Sequence, residues 1–348
     1  MSELDKVLVW PLSIRPVNKL SNAPKTGVTV AKYRTGAEIR RTYQDAPLAS
    51  FKAVFFASPL HESYEDDMVW FRAIEDGIGS FLFMNPHQDF WLNDVIGIGD
   101  GVRTTWVLPY LNWLGTPIIH SGNELISDLT IFNDGPNLLN FNSSIANWDS
   151  GDMEAEVGTV AGKSRSYNGT GRCYNRGNVS VVVGDIMFPG NTSVSASVSI
   201  ADGDSINGIA DVRGDPAVSC HVILSLDSGL VNGSAVSISE SEWEEAIATT
   251  IASGSRTLDE VSVFSASSSD RTHYIGALGI TRGDLMTWYP GSVRMPVVVF
   301  DSPPALGAVI SSKVEKANRM LKVTARSVSH AIDPDGNRFI TVTLDEAP

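Results

Sequence analysis

The chain has 348 residues and a formal net charge of −14, from 26 Lys and Arg against 40 Asp and Glu. That length supplies two or three domains, and the acidic balance excludes nucleic acid and anionic membrane surfaces as partners, because Lys and Arg form no basic run. No stretch approaches the roughly 18 apolar residues of a membrane helix, and the opening M-S-E-L-D-K-V-L-V-W-P lacks the basic start and apolar run of a signal peptide, so the sequence reads as soluble and made in a cytoplasm.

Residues 1–93 read as a first unit. Val7, Val9 and Pro11 begin an extended lead-in, and Val28–Arg34 is strand-like up to Thr35-Gly36. Ala37–Tyr43 continues with alternating charge, and Phe51–Phe56 is a further strand closed by Ser58-Pro59. Between Glu62 and Glu75, Tyr64, Met68, Phe71 and Ile74 recur at helical spacing with Trp70 beside them, and Gly77 stops the run. That aromatic stripe reads as core packing. Phe81, Phe83 and Met84 then lead to Asn85-Pro86. Gly97, Gly99, Asp100 and Gly101 predict a tight hairpin turn before Thr105–Tyr110. A dinucleotide-binding turn would have to open a helix, whereas Thr-Thr-Trp-Val-Leu-Pro is β-prone and ends in proline.

Residues 94–136 form one half of a second unit, which breaks at Asn133-Asp134-Gly135-Pro136. From Asn137 to Met295 the composition shifts to Ser, Gly, Asn, Asp and Val. Val194, Ala196, Val198 and Ile200 alternate with serines; Cys220, Val222, Leu224 and Leu226 repeat the pattern, as do Val261, Val263 and Ser265. Short alternating strands with turns between them predict an antiparallel sandwich. Ser241 followed by Glu244 has the local form of a capped helix. Residues 296–348 return to the earlier register, with Val297–Phe300 and a closing strand at Phe339–Leu344. The fold class is therefore mainly β: a small N-terminal sandwich with one helix, and a second β domain split by an inserted antiparallel sandwich.

The segment Gly79, Phe81, Phe83, Pro86, Asp89, and the segment Gly97, Gly99, Asp100, Gly101, Thr104, Thr105, Trp106, Leu108, resemble two motifs of the distal tail proteins of long-tailed phages and gene-transfer agents. Trp106 stands where that family carries phenylalanine. Thr35–Arg41 resembles the family's early strand, and Val297–Ile310, with Phe300, Asp301, Pro303, Pro304 and Gly307, resembles its closing segment. In the family the closing segment follows after a short connection; here residues 137–295 intervene, as in a domain inserted into a loop. The resemblance implies a virion structural protein at the tail tip or baseplate, assembled in the host cytoplasm. It also implies a homo-hexameric ring that contacts the tail tube protein, the baseplate hub and the tape-measure protein. Glu38, Arg40 and Arg41 are candidates for contacts between subunits, with a solvated strand edge as the equal alternative.

The insertion carries a second resemblance. Asn137-Leu138-Leu139 with Trp148, Met187–Ala196, and His273–Gly283 are similar to landmarks of jelly-roll carbohydrate-binding modules, with Thr281 and Ser193 departing from the family pattern. This implies a host-surface glycan as ligand. Aromatic faces stack on sugar rings while polar side chains bond hydroxyls, which makes Tyr167, Tyr174, Arg176, Trp288 and Tyr289 the candidates. Trp288 and Tyr289 lie at the exit from the insertion, where packing of the junction is the competing role. Asp149, Asp152, Glu154 and Glu156 crowd one stretch, as a solvated edge or a structural calcium site would. His221 and His273 have no triad or metal-ligand spacing around them, and the sequence reads as non-enzymatic, with no cofactor. The alternatives are an insertion that only decorates the assembly and a polysaccharide-degrading tail enzyme, which would need two carboxylates about 5–10 Å apart. Cys173 and Cys220 could meet across a sheet as a disulfide, but a cytoplasmic origin favours two buried thiols.

Overall fold

The computed structural model describes residues 7, 9–10, 21–25, 28–32, 38–42, 48–59, 68, 71–72, 74–75, 80–139, 155–156, 181–186, 191–214, 219–239, 244–265, 271–289 and 293–347. These are mainly β, in several sheets, as expected. Among them no helix is long and apolar enough to cross a membrane. The chain divides into two compact units, one of residues 1–9 with 87–320, the other of residues 10–86 with 321–348.

The second of these contains β1 (Ser21–Lys25), β2 (Val28–Lys32), β3 (Glu38–Thr42) and β4 (Leu48–Ala57). It also holds the start of β5 (Ser80–Ile98). β2 and β3 pair with each other, and β4 pairs with β1. Alternation along β4 buries Phe51, Ala53, Phe55 and Ala57 and exposes Lys52 and Phe56, the period expected of a half-buried strand. Met68, Phe71 and Ile74 are helical and buried, as their spacing predicts. The core is aromatic: Trp10 stacks on Phe55 at 4.7 Å between ring centroids and meets Phe71, Phe81 and Phe83 at 5.7–5.9 Å.

One boundary differs from the sequence reading. The last strand, Arg338–Glu346, pairs with β4, placing Leu344 opposite Phe51. Residues from Leu321 onward therefore complete the N-terminal unit rather than the split domain. The local pattern of a strand says which face is buried; it does not say which strand lies beside it.

In the other unit the scaffold strands are the latter part of β5, β6 (Thr105–Val107), β7 (Tyr110–Leu111), β8 (Leu114–Ser121), β9 (Glu124–Leu125) and β10 (Leu129–Phe132). Within the insertion, β12 (Val181–Ile186) follows β11 (Ala155–Glu156) and precedes β13 (Asn191–Ile200), β14 (Ser205–Gly214) and β15 (Ser219–Leu226). Then come β16 (Gly229–Asn232), β17 (Val236–Ser237), β18 (Glu244–Ile251), β19 (Arg256–Ser265) and β20 (Arg271–Arg282). After the insertion, β21 (Val297–Phe300) and the first half of β22 (Val309–Ile332) return to the scaffold.

β21 lies between β10 and β6, with Val298 opposite Ile131 and Trp106. β22 pairs β8 and β7. Leu92, Trp106, Leu108, Tyr110 and Ile119 from before the insertion pack with Val298, Phe300, Ile310, Val314 and Ala317 from after it. One core is thus built from two stretches far apart in sequence.

The insertion is two antiparallel sheets, β11-β12-β20-β14-β18 and β13-β19-β15-β16, with β17 on β15. Alternation along β15 buries Cys220, Val222, Leu224 and Leu226, and they pack with Ile206, Ala210, Ala246, Val261, Val263 and Ile280. Two expectations are corrected. Glu244 and Glu245 open a strand opposite Val212 and Asp211 instead of a helix, because pairing along the whole of β14 outweighs a local capping pattern. The turn at Gly97–Gly101 is not a hairpin: β5 pairs β22 while β6 pairs β21, so it carries the chain from one sheet to another.

Candidate functional site

The turn at Gly97–Gly101 docks on the segment Pro303–Ala308. Gly99 N donates to Ala308 O at 2.8 Å, Gly307 N to Gly99 O at 2.8 Å, and Gly101 N to Pro304 O at 3.2 Å. A Cβ on Gly99 would lie 2.4 Å from Ala305 O and 2.9 Å from Pro304 O, so only glycine permits this approach. Asp100 Oδ1 accepts from Val102 N (2.8 Å) and Arg103 N (2.7 Å), and these bonds hold its carboxyl below the usual carboxylate range. The amides that a phosphate-binding turn would present are therefore spent within the protein. The two segments that resemble the tail family meet here, although the insertion separates them in sequence.

The insertion is clamped at its two ends by Asn137, which is 2% exposed. Its Oδ1 accepts from Leu139 N and Ile280 N, each at 3.1 Å, and its Nδ2 donates to Tyr289 O at 2.9 Å. Trp288 is also 2% exposed, packs on Ile209, and donates its indole N–H to Leu278 O at 3.0 Å. Its ring is occupied by packing and presents no open face to a sugar. Tyr289 beside it is half-buried; burial pushes its hydroxyl up to about 12, with the Arg103 guanidinium pulling it back. Tyr167, Tyr174 and Arg176 lie outside the described residues, as do Cys173, Asp149, Asp152 and Glu154. Cys220 is a buried free thiol whose pKa burial raises to about 12. His221 is half-buried, and desolvation lowers its pKa.

A cleft of about 450 Å3 opens where the scaffold meets the base of the insertion. Thr130, Phe132 and Asp301 line it from β10 and the end of β21, and Asp202, Asp204, Arg282 and Asp284 from turns of the insertion. Arg282 is its centre. It is 6% exposed, pairs with Asp134 at 2.8 Å and Asp204 at 3.0 Å, and lies 4.3 Å from the centroid of the Phe132 ring. The junction is tight, because Gly283 sits against Thr105 with no room for a Cβ. Asp284 Oδ2 accepts from Thr104 N at 2.7 Å, and Asp202 Oδ1 from Gly254 N at 2.6 Å. The second oxygens of these carboxylates, and Asp301, give the cleft acceptors and negative charge. Sequence reasoning missed this site, because Asp202–Ser205 and Arg282–Asp284 read as ordinary turn chemistry. Among the described residues no three His, Cys, Asp or Glu side chains converge as metal ligands.

No protein-family model matches the sequence, and comparison with curated proteins gives no match. Two solved structures similar to the chain are carbohydrate-binding modules. One is the CBM22-1 xylan-binding domain of Paenibacillus barcinonensis Xyn10C, with 11% identity and a TM-score of 0.31 over 43% of this chain and 97% of that domain. Another is the carbohydrate-binding module CBM6cm-2 of Cellvibrio mixtus lichenase 5A in complex with cellotriose, with 13% identity and a TM-score of 0.24 over 40% of this chain and 95% of that module. TM-scores of this size carry no ligand across to the present chain.

Proposed function

We propose that the chain is a structural protein of a phage tail tip whose scaffold forms a homo-hexameric ring between tail tube and hub, and whose inserted sandwich binds a host-surface glycan during adsorption. The observation that carries the reading is the docking of Gly97–Gly101 on Pro303–Ala308. It makes one scaffold of the two segments that resemble the distal tail family and leaves residues 137–295 as an outgrowth of it. The shared core of Trp106, Leu108, Val298 and Phe300 supports the same division of labour. Glycan binding rests on the sandwich architecture of the insertion and on its landmarks, with Tyr167, Tyr174 and Arg176 as the residues that meet the sugar. Weak sites repeated around a ring gain by avidity. The protein binds and positions; it catalyses no reaction. The test is capture of host-envelope polysaccharide by the full chain, beside Tyr167→Ala and Tyr174→Ala. Capture that these changes weaken supports the proposal, and a folded, assembled chain that captures no envelope polysaccharide refutes it.

A further inference from the structure

The cleft around Arg282 is a separate candidate from the tyrosines, and its chemistry narrows what can enter it. Four carboxylates, those of Asp202, Asp204, Asp284 and Asp301, face one guanidinium, and that guanidinium is already committed to Asp134 and Asp204. The cleft thus offers mainly acceptors in a field of negative sign, which repels uronates, sialic acids and phosphates. The carboxylates line the walls without converging on a point, so they do not form the cage of oxygens a divalent cation requires. A volume of about 450 Å3 matches a small organic ligand or one to two sugar rings. A second observation comes from Arg282 itself. Its side chain is 7% exposed, yet among the described residues its buried Nε–H has no acceptor and Asp134 Oδ1 beside it has no donor. Buried groups of this kind are ordinarily satisfied by water or ligand. Those two atoms are closed off from the cleft, and the acceptors open to a ligand are the carboxylates of its walls, to which a hydroxyl donates.

We propose that this cleft binds a hydroxyl-rich saccharide unit, with amine-bearing sugars favoured over neutral ones and acidic sugars excluded. The ring lies along Phe132 and its hydroxyl or ammonium groups donate to Asp301, Asp284 and Asp202. The inference rests on reading the insertion as a glycan-binding module, and it adds the location and charge class of a site at that module's base.

The test uses the full chain and calorimetric titration with short oligomers of glucosamine, of N-acetylglucosamine and of galacturonate. The affinity order is expected to follow that sequence, with no galacturonate binding. Asp301→Asn removes an exposed charge and is expected to weaken glucosamine-oligomer binding roughly tenfold. Thr130→Trp fills the cleft and abolishes binding at an unchanged melting temperature. Binding that survives both cleft variants and vanishes with the tyrosine variants overturns this site and keeps the glycan reading. A preference for galacturonate overturns the charge argument. A folded chain that binds no saccharide of any kind overturns both proposals.

Discussion

Replacing Gly99 with alanine places a methyl group 2.4 Å from Ala305 O and 2.9 Å from Pro304 O. Both are backbone atoms, so the contact is not relieved by rotating a side chain. Either the turn or the Pro303–Ala308 segment must move, and the bonds Gly99 N→Ala308 O and Gly307 N→Gly99 O, each 2.8 Å, stretch with it. Each such bond contributes about 0.5–1.5 kcal/mol net, and overpacking adds about 1–3 kcal/mol, so Gly99→Ala destabilises by roughly 2–6 kcal/mol. Gly307→Ala is the control: Gly307 has φ +80° with nothing within 4 Å of its Cβ position, which limits the cost to about 1–2 kcal/mol of left-handed strain. Denaturant unfolding gives the energies. Because the chain has two compact units, hydrogen exchange at the amides of Gly99 and Gly307 supplies the local readout. A Gly99→Ala protein as stable as wild type, with these amides equally protected, would refute the docking.

Three further outcomes follow from the same geometry. Arg282→Met removes both ion pairs and leaves Asp204 and Asp134 facing one another; since those partners are 20% and 43% exposed, solvent screening reduces the loss to about 2 kcal/mol, measurable by chemical denaturation. Leu224→Ala, at a fully buried position in the insertion, costs about 2–5 kcal/mol, while Ser225→Ala on the opposite face of β15 stays within about 0.5 kcal/mol. Site-resolved thiol labelling at pH 8 should find Cys220 inert in the native protein and reactive in denaturant, because burial raises its pKa to about 12. The sign is that of a raised acid: the contribution is full below the unfolded thiol pKa of about 8.5 and is lost as pH climbs from there towards 12.

Strand alternation carried most of the legible fold. Cys220, Val222, Leu224 and Leu226 declare a buried face because period two leaves one side of the strand apolar, and the insertion is a two-sheet sandwich as that pattern predicts. The Met68, Phe71 and Ile74 spacing announced its helix in the same way. Partner choice was not legible. Phe339–Leu344 reads as a strand, but nothing local says that it pairs Phe51–Phe56, and the turn at Gly97–Gly101 has hairpin composition yet joins strands of different sheets. Trp288 shows a limit of another kind: an aromatic beside a chain exit has the same sequence signature whether its ring stacks on a ligand or on Ile209. The cleft escaped notice because its walls come from residues 104, 130, 132, 202–205, 282–284 and 299–301, which only the tertiary fold brings together.

The most direct test of the central claim is immunoelectron microscopy of phage particles with antibody against the full chain. The account predicts label confined to the tail tip, and loss of adsorption when the bound antibody recognises residues 137–295. Particles that carry no copy of the chain, or carry it elsewhere on the virion, would contradict the account.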